Sequence, residues 1–291
     1  MITKRHRKHS AATILLAALS LMLTGCLVTP GKFDSTLTLG QDNSFSFSYD
    51  GELFFIALVP GALGNYEDGN FTSTECFDVE TYEERDCTAE ELAGQKTDWD
   101  ANQAQNKQKD AEQAQKMAAI MGGIDPNDPE AGNKMATMLE RQRGWNSVRY
   151  VGDGLFNVEY AISGKLSHDL TFPVMEGVPV PSPFIQAIVR DDNIIRVNAP
   201  GFAKQEGGGL MTGMIMGGFA QGMSDAMAEE KPEGQAGIPE IRGTFRVITN
   251  GQILANNTDE GPAASGDYQT LTWDITSSTS SVPTALVKLG G

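Results

Sequence analysis

The sequence predicts an α+β fold: a mainly antiparallel sheet built from hairpins, with inserted helices and a Met/Gly-rich segment late in the chain. Three observations point there. Apolar residues alternate with period two across the runs rich in β-branched and aromatic side chains. Turn chemistry recurs between those runs, and strong helix formers concentrate in one long insertion.

Taken in order, "STLTLG" (35–40) and "FSFSYD" (45–50) form a hairpin across Gly40–Asn43, with Phe45, Phe47 and Tyr49 on one face and serines on the other. "LFFIALV" (53–59) extends the second strand. A further β region starts near Trp145. Asp153-Gly154 supplies a tight turn, after which Phe156, Val158, Tyr160 and Ile162 alternate with Asn157, Glu159, Ala161 and Ser163. Leu166, His168, Leu170 and Phe172 carry the pattern on. Ile185–Arg190 and Ile194–Asn198 flank Asp191-Asp192-Asn193, another hairpin signal. Phe245 and Val247 lead into Asn250-Gly251, the strongest short hairpin marker, and Leu271, Trp273 and Ile275 alternate afterwards.

The helical signals sit in an insertion over residues 65–144. "TDWDANQAQNKQKDAEQAQKMAAIM" (97–121) places Thr97 and Asp100 in capping-box register and is rich in helix formers. Few of its residues are large and apolar, so it is read as solvated or packed by one Ala face, rather than as a partner-binding helical hairpin. Asp125-Pro126 and Asp128-Pro129 precede a second helix over about 130–142. No internal repeat is evident. Residues 33–291 are read as one α+β domain carrying insertions at 65–144 and 201–240.

Charge narrows the function. The chain carries a formal net charge of −16. That repels nucleic acid, so a nucleic-acid partner is excluded. Residues 65–100 hold twelve acids, Glu67, Asp68, Glu75, Asp78, Glu80, Glu83 and Glu84 among them, against Arg85 and Lys96. Their spacing does not follow the alternating calcium-loop pattern, and a solvated acidic loop is expected.

Lys4, Arg5, Arg7 and Lys8 precede the apolar run Ala11–Leu23, an arrangement too short for an ordinary spanning helix and typical of an export signal. It ends in Leu23-Thr24-Gly25-Cys26, which resembles the lipobox of bacterial lipoproteins. The resemblance implies removal of residues 1–25, a diacylglyceryl thioether on Cys26 and an N-acyl chain such as palmitate. Loss of residues 1–25 removes four cations and no acid, deepening the net charge from −16 to −20. Residues 26–32 are then a lipidated tether. Leu27 after the lipid site favours a cell-envelope location in the outer membrane, facing the periplasm, if the host is Gram-negative. Cys76 and Cys87 remain, and in an oxidising compartment their spacing points to a structural disulfide.

No metal or cofactor motif is present, and no G-x-S-x-G, H-E-x-x-H, P-loop or G-x-G-x-x-G. His168 is the one histidine outside the leader and is read as a buried or rim residue of a strand. On a strand, Ser167, His168 and Asp169 would point to opposite faces and could not act together.

The stretch "GTFRVITNGQILANNT…GDYQTLTWDI", with "NIIRVNAPGF" before it, resembles the LppM-like lipoprotein domain over about a quarter of the chain. The resemblance implies an α+β envelope domain that handles lipid or glycolipid. The acidic Cys-containing insertion and the Met/Gly stretch depart from that pattern, and no binding residue carries over.

Gly207–Ser224 contains no charged side chain. Gly209, Gly213 and Gly217 recur at intervals of four, as do Met211, Ile215, Phe219, Met223 and Met227. A helix would gather a small-residue face and an apolar stripe, but so many glycines weaken it. A membrane-facing or lid helix, an element packed on the sheet and a loop all remain open. Met211, Met214, Ile215, Phe219 and Met223 are the candidate apolar-ligand or membrane surface. The function expected is a lipid-anchored, non-catalytic envelope protein that binds an apolar or lipid ligand, a glycolipid or an envelope protein partner. The alternative is a hydrolase acting on a cell-wall polymer.

Overall fold

The computed structural model describes residues 28–59, 70–78, 80–178, 180, 182–204 and 239–290. Cys26 and the five candidate residues between Met211 and Met223 lie outside the described residues.

Two sheets face each other across an aromatic core. The first contains β1 (Val28–Leu39), β2 (Ser44–Phe55), β5 (Trp145–Gly152), β6 (Leu155–Lys165), β10 (Arg242–Thr249), β12 (Ala263–Ser265) and β13 (Tyr268–Thr276), in the order β12-β13-β10-β1-β2-β6-β5. All its pairs are antiparallel except β1 with β10. The second contains β7 (Leu170–Phe172), β8 (Ile185–Arg190), β9 (Ile194–Asn198), β11 (Gln252–Asn256) and β14 (Thr284–Lys288), ordered β11-β14-β9-β8-β7 and antiparallel throughout. Cys76–Phe77 and Glu84–Arg85 form a small hairpin, β3–β4, ahead of α1 (Ala89–Ile120) and α2 (Ala131–Glu140).

The period-two pattern explains the layering. Along β1, Phe33, Ser35, Leu37 and Leu39 are buried while Lys32 and Asp34 are exposed, so one face is apolar and the other wet. Phe172 links the layers, with ring centroids 5.1 Å from Phe47, 4.9 Å from Tyr49 and 4.8 Å from Tyr160. Each such ring contributes about 1.5–3 kcal/mol by burial, with a further gain from tilted packing. Met135 and Leu139 of α2 are fully buried in the same contiguous core.

A mainly sheet fold with some helices is thus observed, and two hairpins fall where the turn chemistry puts them. The Gly40–Asn43 turn closes with Asn43 N–H donating to Gly40 O at 3.0 Å, and Leu39 pairs with Phe45. The Asp191–Asn193 turn places Asp192 and Asn193 at φ of 59° and 56°, which their short polar side chains tolerate.

Five expectations need correction. Asn250-Gly251 is not a hairpin: it carries the chain from β10 in the first sheet to β11 in the second. There the Asn250 side chain bonds to Gln41 rather than serving a two-strand turn. The long helix starts at Ala89, not near Thr97; Thr88 and Glu91 make the capping box, and Thr97 Oγ1 donates to Ala93 O inside the helix. The second strand ends at Phe55, and Ile56–Leu58 is a 3-10 turn. Residues 166–169 leave the strand pattern, so His168 is exposed. Finally, residues 28–32 are not tether: β1 begins at Val28, which pairs with Phe55.

Candidate functional site at the start of the first strand

The end of the large sheet where β1 begins brings together several chain segments. Val28 pairs with Phe55, Pro30 with Leu53, and Phe54 with Leu155. Phe55 N–H donates to Gly154 O at 2.8 Å, fastening the 3-10 turn to the β5–β6 turn. A Cβ on Gly154 would sit 2.4 Å from Phe55 O, and its φ of +78° suits glycine, so this junction depends on glycine.

The flanks of the Met/Gly stretch reach the same end. Lys204 N–H donates to Thr279 O at 2.7 Å, just past β13, whose Thr276 pairs with Arg242; Arg242 in turn pairs with Lys32. On the other flank, Pro239 Cβ lies 3.4 Å from where a Gly31 Cβ would be. For the second flank topology requires this. β1 and β10 run parallel, so the segments entering them arrive at one end.

The surface changes character along β2. Ser46, Ser48 and Asp50 on its outward face are exposed, whereas Phe54 on that face is 3% exposed. Beside it the β5 strand is irregular between Tyr150 and Gly152, and Val151 is 55% exposed. A bulge of this kind turns one side chain out of the pleat. Ile56, Val59 and Leu155 are half-buried around it. Sequence alternation alone missed this rim, because the bulge breaks the alternation at the residue that matters. Beneath it, the buried Tyr49 hydroxyl donates to Glu52 O at 2.8 Å, and burial pushes its ionisation well above the usual range.

A concavity of about 290 Å³ lies at the opposite end, lined by Phe45, Arg143, Tyr160, Lys165, His168 and Leu170 among others. Two of its charged side chains, Lys165 and Asp169, are bonded within the protein. Lys165 Nζ lies 2.7 Å from Asp42 Oδ2, and hydrogen bonds from Lys165 and then Ser44 hold the Asp42 carboxyl well below the usual range. Asp169 Oδ1 accepts from Val189 N–H at 2.8 Å, while Ser167 Oγ lies 3.1 Å from His168 Nδ1. The Ser–His contact arises because this segment bends, contrary to the opposite-face expectation. Asp169 is turned to β8, so it does not orient that imidazole. At this volume the concavity suits a small group rather than acyl chains.

Cys76 and Cys87 are joined by a disulfide, Cα–Cα 5.2 Å, immediately ahead of the Thr88 cap. Among the described residues no group of three or more His, Cys, Asp or Glu is placed to hold a metal, and no helix is long and apolar enough to cross a membrane.

Comparison of the chain with protein-family models, curated proteins and solved structures returns no match.

Proposed function

We propose that this chain is a lipid-anchored, non-catalytic envelope protein that holds an apolar or lipid ligand, or a membrane partner, at the end of the sheet where β1 begins. One observation carries the reading: the strand following the lipobox cysteine and both flanks of the Met/Gly stretch meet at that end. Acylation of Cys26 would place this end beside the bilayer. Met211, Met214, Ile215, Phe219 and Met223 would then supply apolar surface where lipid is within reach, and Met suits irregular apolar shapes. The disulfide fits an oxidising envelope compartment. The resemblance to the LppM-like domain supports a lipid or glycolipid as the ligand.

The test combines two variants with lipid mass spectrometry. Cys26→Ser abolishes the acyl mass and membrane fractionation. Ile215→Asp with Phe219→Asp strips co-purifying lipid while thermal unfolding stays unchanged. A lipid-free protein that turns over a peptidoglycan or glycan substrate would instead establish the hydrolase alternative.

A further inference from the structure

We infer that the rim formed by Ile56, Val59, Val151 and Leu155 rests on the membrane, so that the sheet stands end-on with its Gly40–Asn43 turn pointing away. The inference rests on the proposed acylation of Cys26 and adds an orientation and a contact surface. Two peptide units separate Cys26 from Val28, which is locked in the ladder opposite Phe55. Two residues reach at most about 7 Å, so an acylated Cys26 cannot hold the sheet far from the lipid. Neighbouring strands lie about 4.8 Å apart, which places Val151, three strands from Val28 in the order β1-β2-β6-β5, within about 15 Å of it.

The chemistry of the rim agrees. Val151 is 55% exposed at the bulge, and Val59 reaches the adjoining turn, its Cγ2 lying 3.1 Å from where a Gly154 Cβ would be. Exposed apolar side chains at a turn tip insert readily among lipid headgroups. The nearby charges on β5 and its turn, Arg149 and Asp153, have opposite sign. The rim therefore escapes the repulsion that an anionic leaflet exerts on the rest of this acidic chain. At the far end the outward face of β2 is Ser46, Ser48 and Asp50, which favours water. The twelve residues of β1 span about 40 Å, so the concavity at Lys165 stands well clear of the bilayer.

The experiment uses the full chain, expressed with its leader and reconstituted into vesicles of phosphatidylethanolamine and phosphatidylglycerol carrying brominated acyl chains. Val151→Cys and Ser46→Cys are each labelled with an environment-sensitive fluorophore, and the mass of the N-terminal peptide is measured in parallel. The expected result is an acylated Cys26, loss of fluorescence at position 151 and none at 46. An acylated protein whose position 151 is not quenched, or whose position 46 is, overturns the orientation and leaves the anchor standing. An unacylated N-terminal peptide overturns the anchor and the orientation together. Matching thermal unfolding of both variants and the parent shows that quenching reports position rather than misfolding.

Discussion

Gln41 and Asn250 exchange two hydrogen bonds across 209 residues of sequence: Gln41 N–H to Asn250 Oδ1 and Gln41 Nε2 to Asn250 O, both at 2.7 Å. They tie the β1–β2 turn to the corner where the chain changes sheets. Just before that corner, the buried Thr249 hydroxyl donates to Leu39 O at 2.8 Å and accepts from Gly251 N–H at 2.9 Å.

This corner is therefore a structural joint. Asn250→Ala and Gln41→Ala each remove one side-chain-to-backbone hydrogen bond and should each cost about 1 kcal/mol, the usual net value for neutral hydrogen bonds. Thr249→Val leaves two backbone groups unsatisfied and should cost about 1–3 kcal/mol in urea unfolding. Gly251→Ala brings a Cβ to 2.7 Å from Lys288 O, a backbone atom that cannot swing aside, and should cost about 1–3 kcal/mol. Unchanged urea midpoints for both the Gln41 and Asn250 variants would show that the joint contributes no stability.

Phe172 is the second point of failure. Its ring meets Phe47, Tyr49 and Tyr160 of the large sheet and Phe184 beside its own strand. Phe172→Ala should destabilise the fold by about 3–5 kcal/mol, because the residual cavity adds to the lost transfer energy. A loss well under 1 kcal/mol by denaturant titration would mean the two sheets are not held through this ring.

Replacing Cys76 and Cys87 with Ser opens an eleven-residue separation. In the chain-entropy model the staple contributes about 2–3 kcal/mol, all of it local to the acidic loop. Near-ultraviolet signals of the aromatic core should persist in the double variant, while amide exchange at residues 74–88 should quicken. Collapse of the core signals would show that the staple supports the sheets directly.

Acid should fray the start of α1. Bidentate hydrogen bonds from Arg85, then those from the Thr88 backbone and hydroxyl, hold the Glu91 carboxyl at about 2, below its ordinary 4.5. A depressed folded-state value means that the cap's contribution is fully present above 4.5 and is lost as pH falls from there toward about 2. Carbon-detected titration of Glu91 should show that low midpoint, with Thr88 amide exchange rising in parallel. A midpoint near 4.5 would show that the Arg85 pair does not persist in solution.

What the linear chain determined is whatever adjacent residues decide among themselves. Glycine and asparagine at 40–43, and Asp192-Asn193, can enter turn conformations closed to most side chains, so those hairpins were legible without partners. Strand faces such as Phe156, Val158 and Tyr160 followed from the pleat. The lipobox reading of Cys26 likewise rests on linear pattern alone. Tertiary structure decided the rest. The capping box expected at Thr97 gave way to one at Thr88, beside the Cys87 staple and with Arg85 bonded to Glu91. Asn250-Gly251 has ideal hairpin chemistry, but β10 pairs with β1 and β13 and β11 with β14, so that turn joins sheets instead of strands. The exposed Val151 comes from a bulge that no alternation count registers. Each of these outcomes is set by non-local pairing. A strand's neighbour across two hundred residues decides which backbone groups are already satisfied, and hence what a locally encoded turn or cap is left to do.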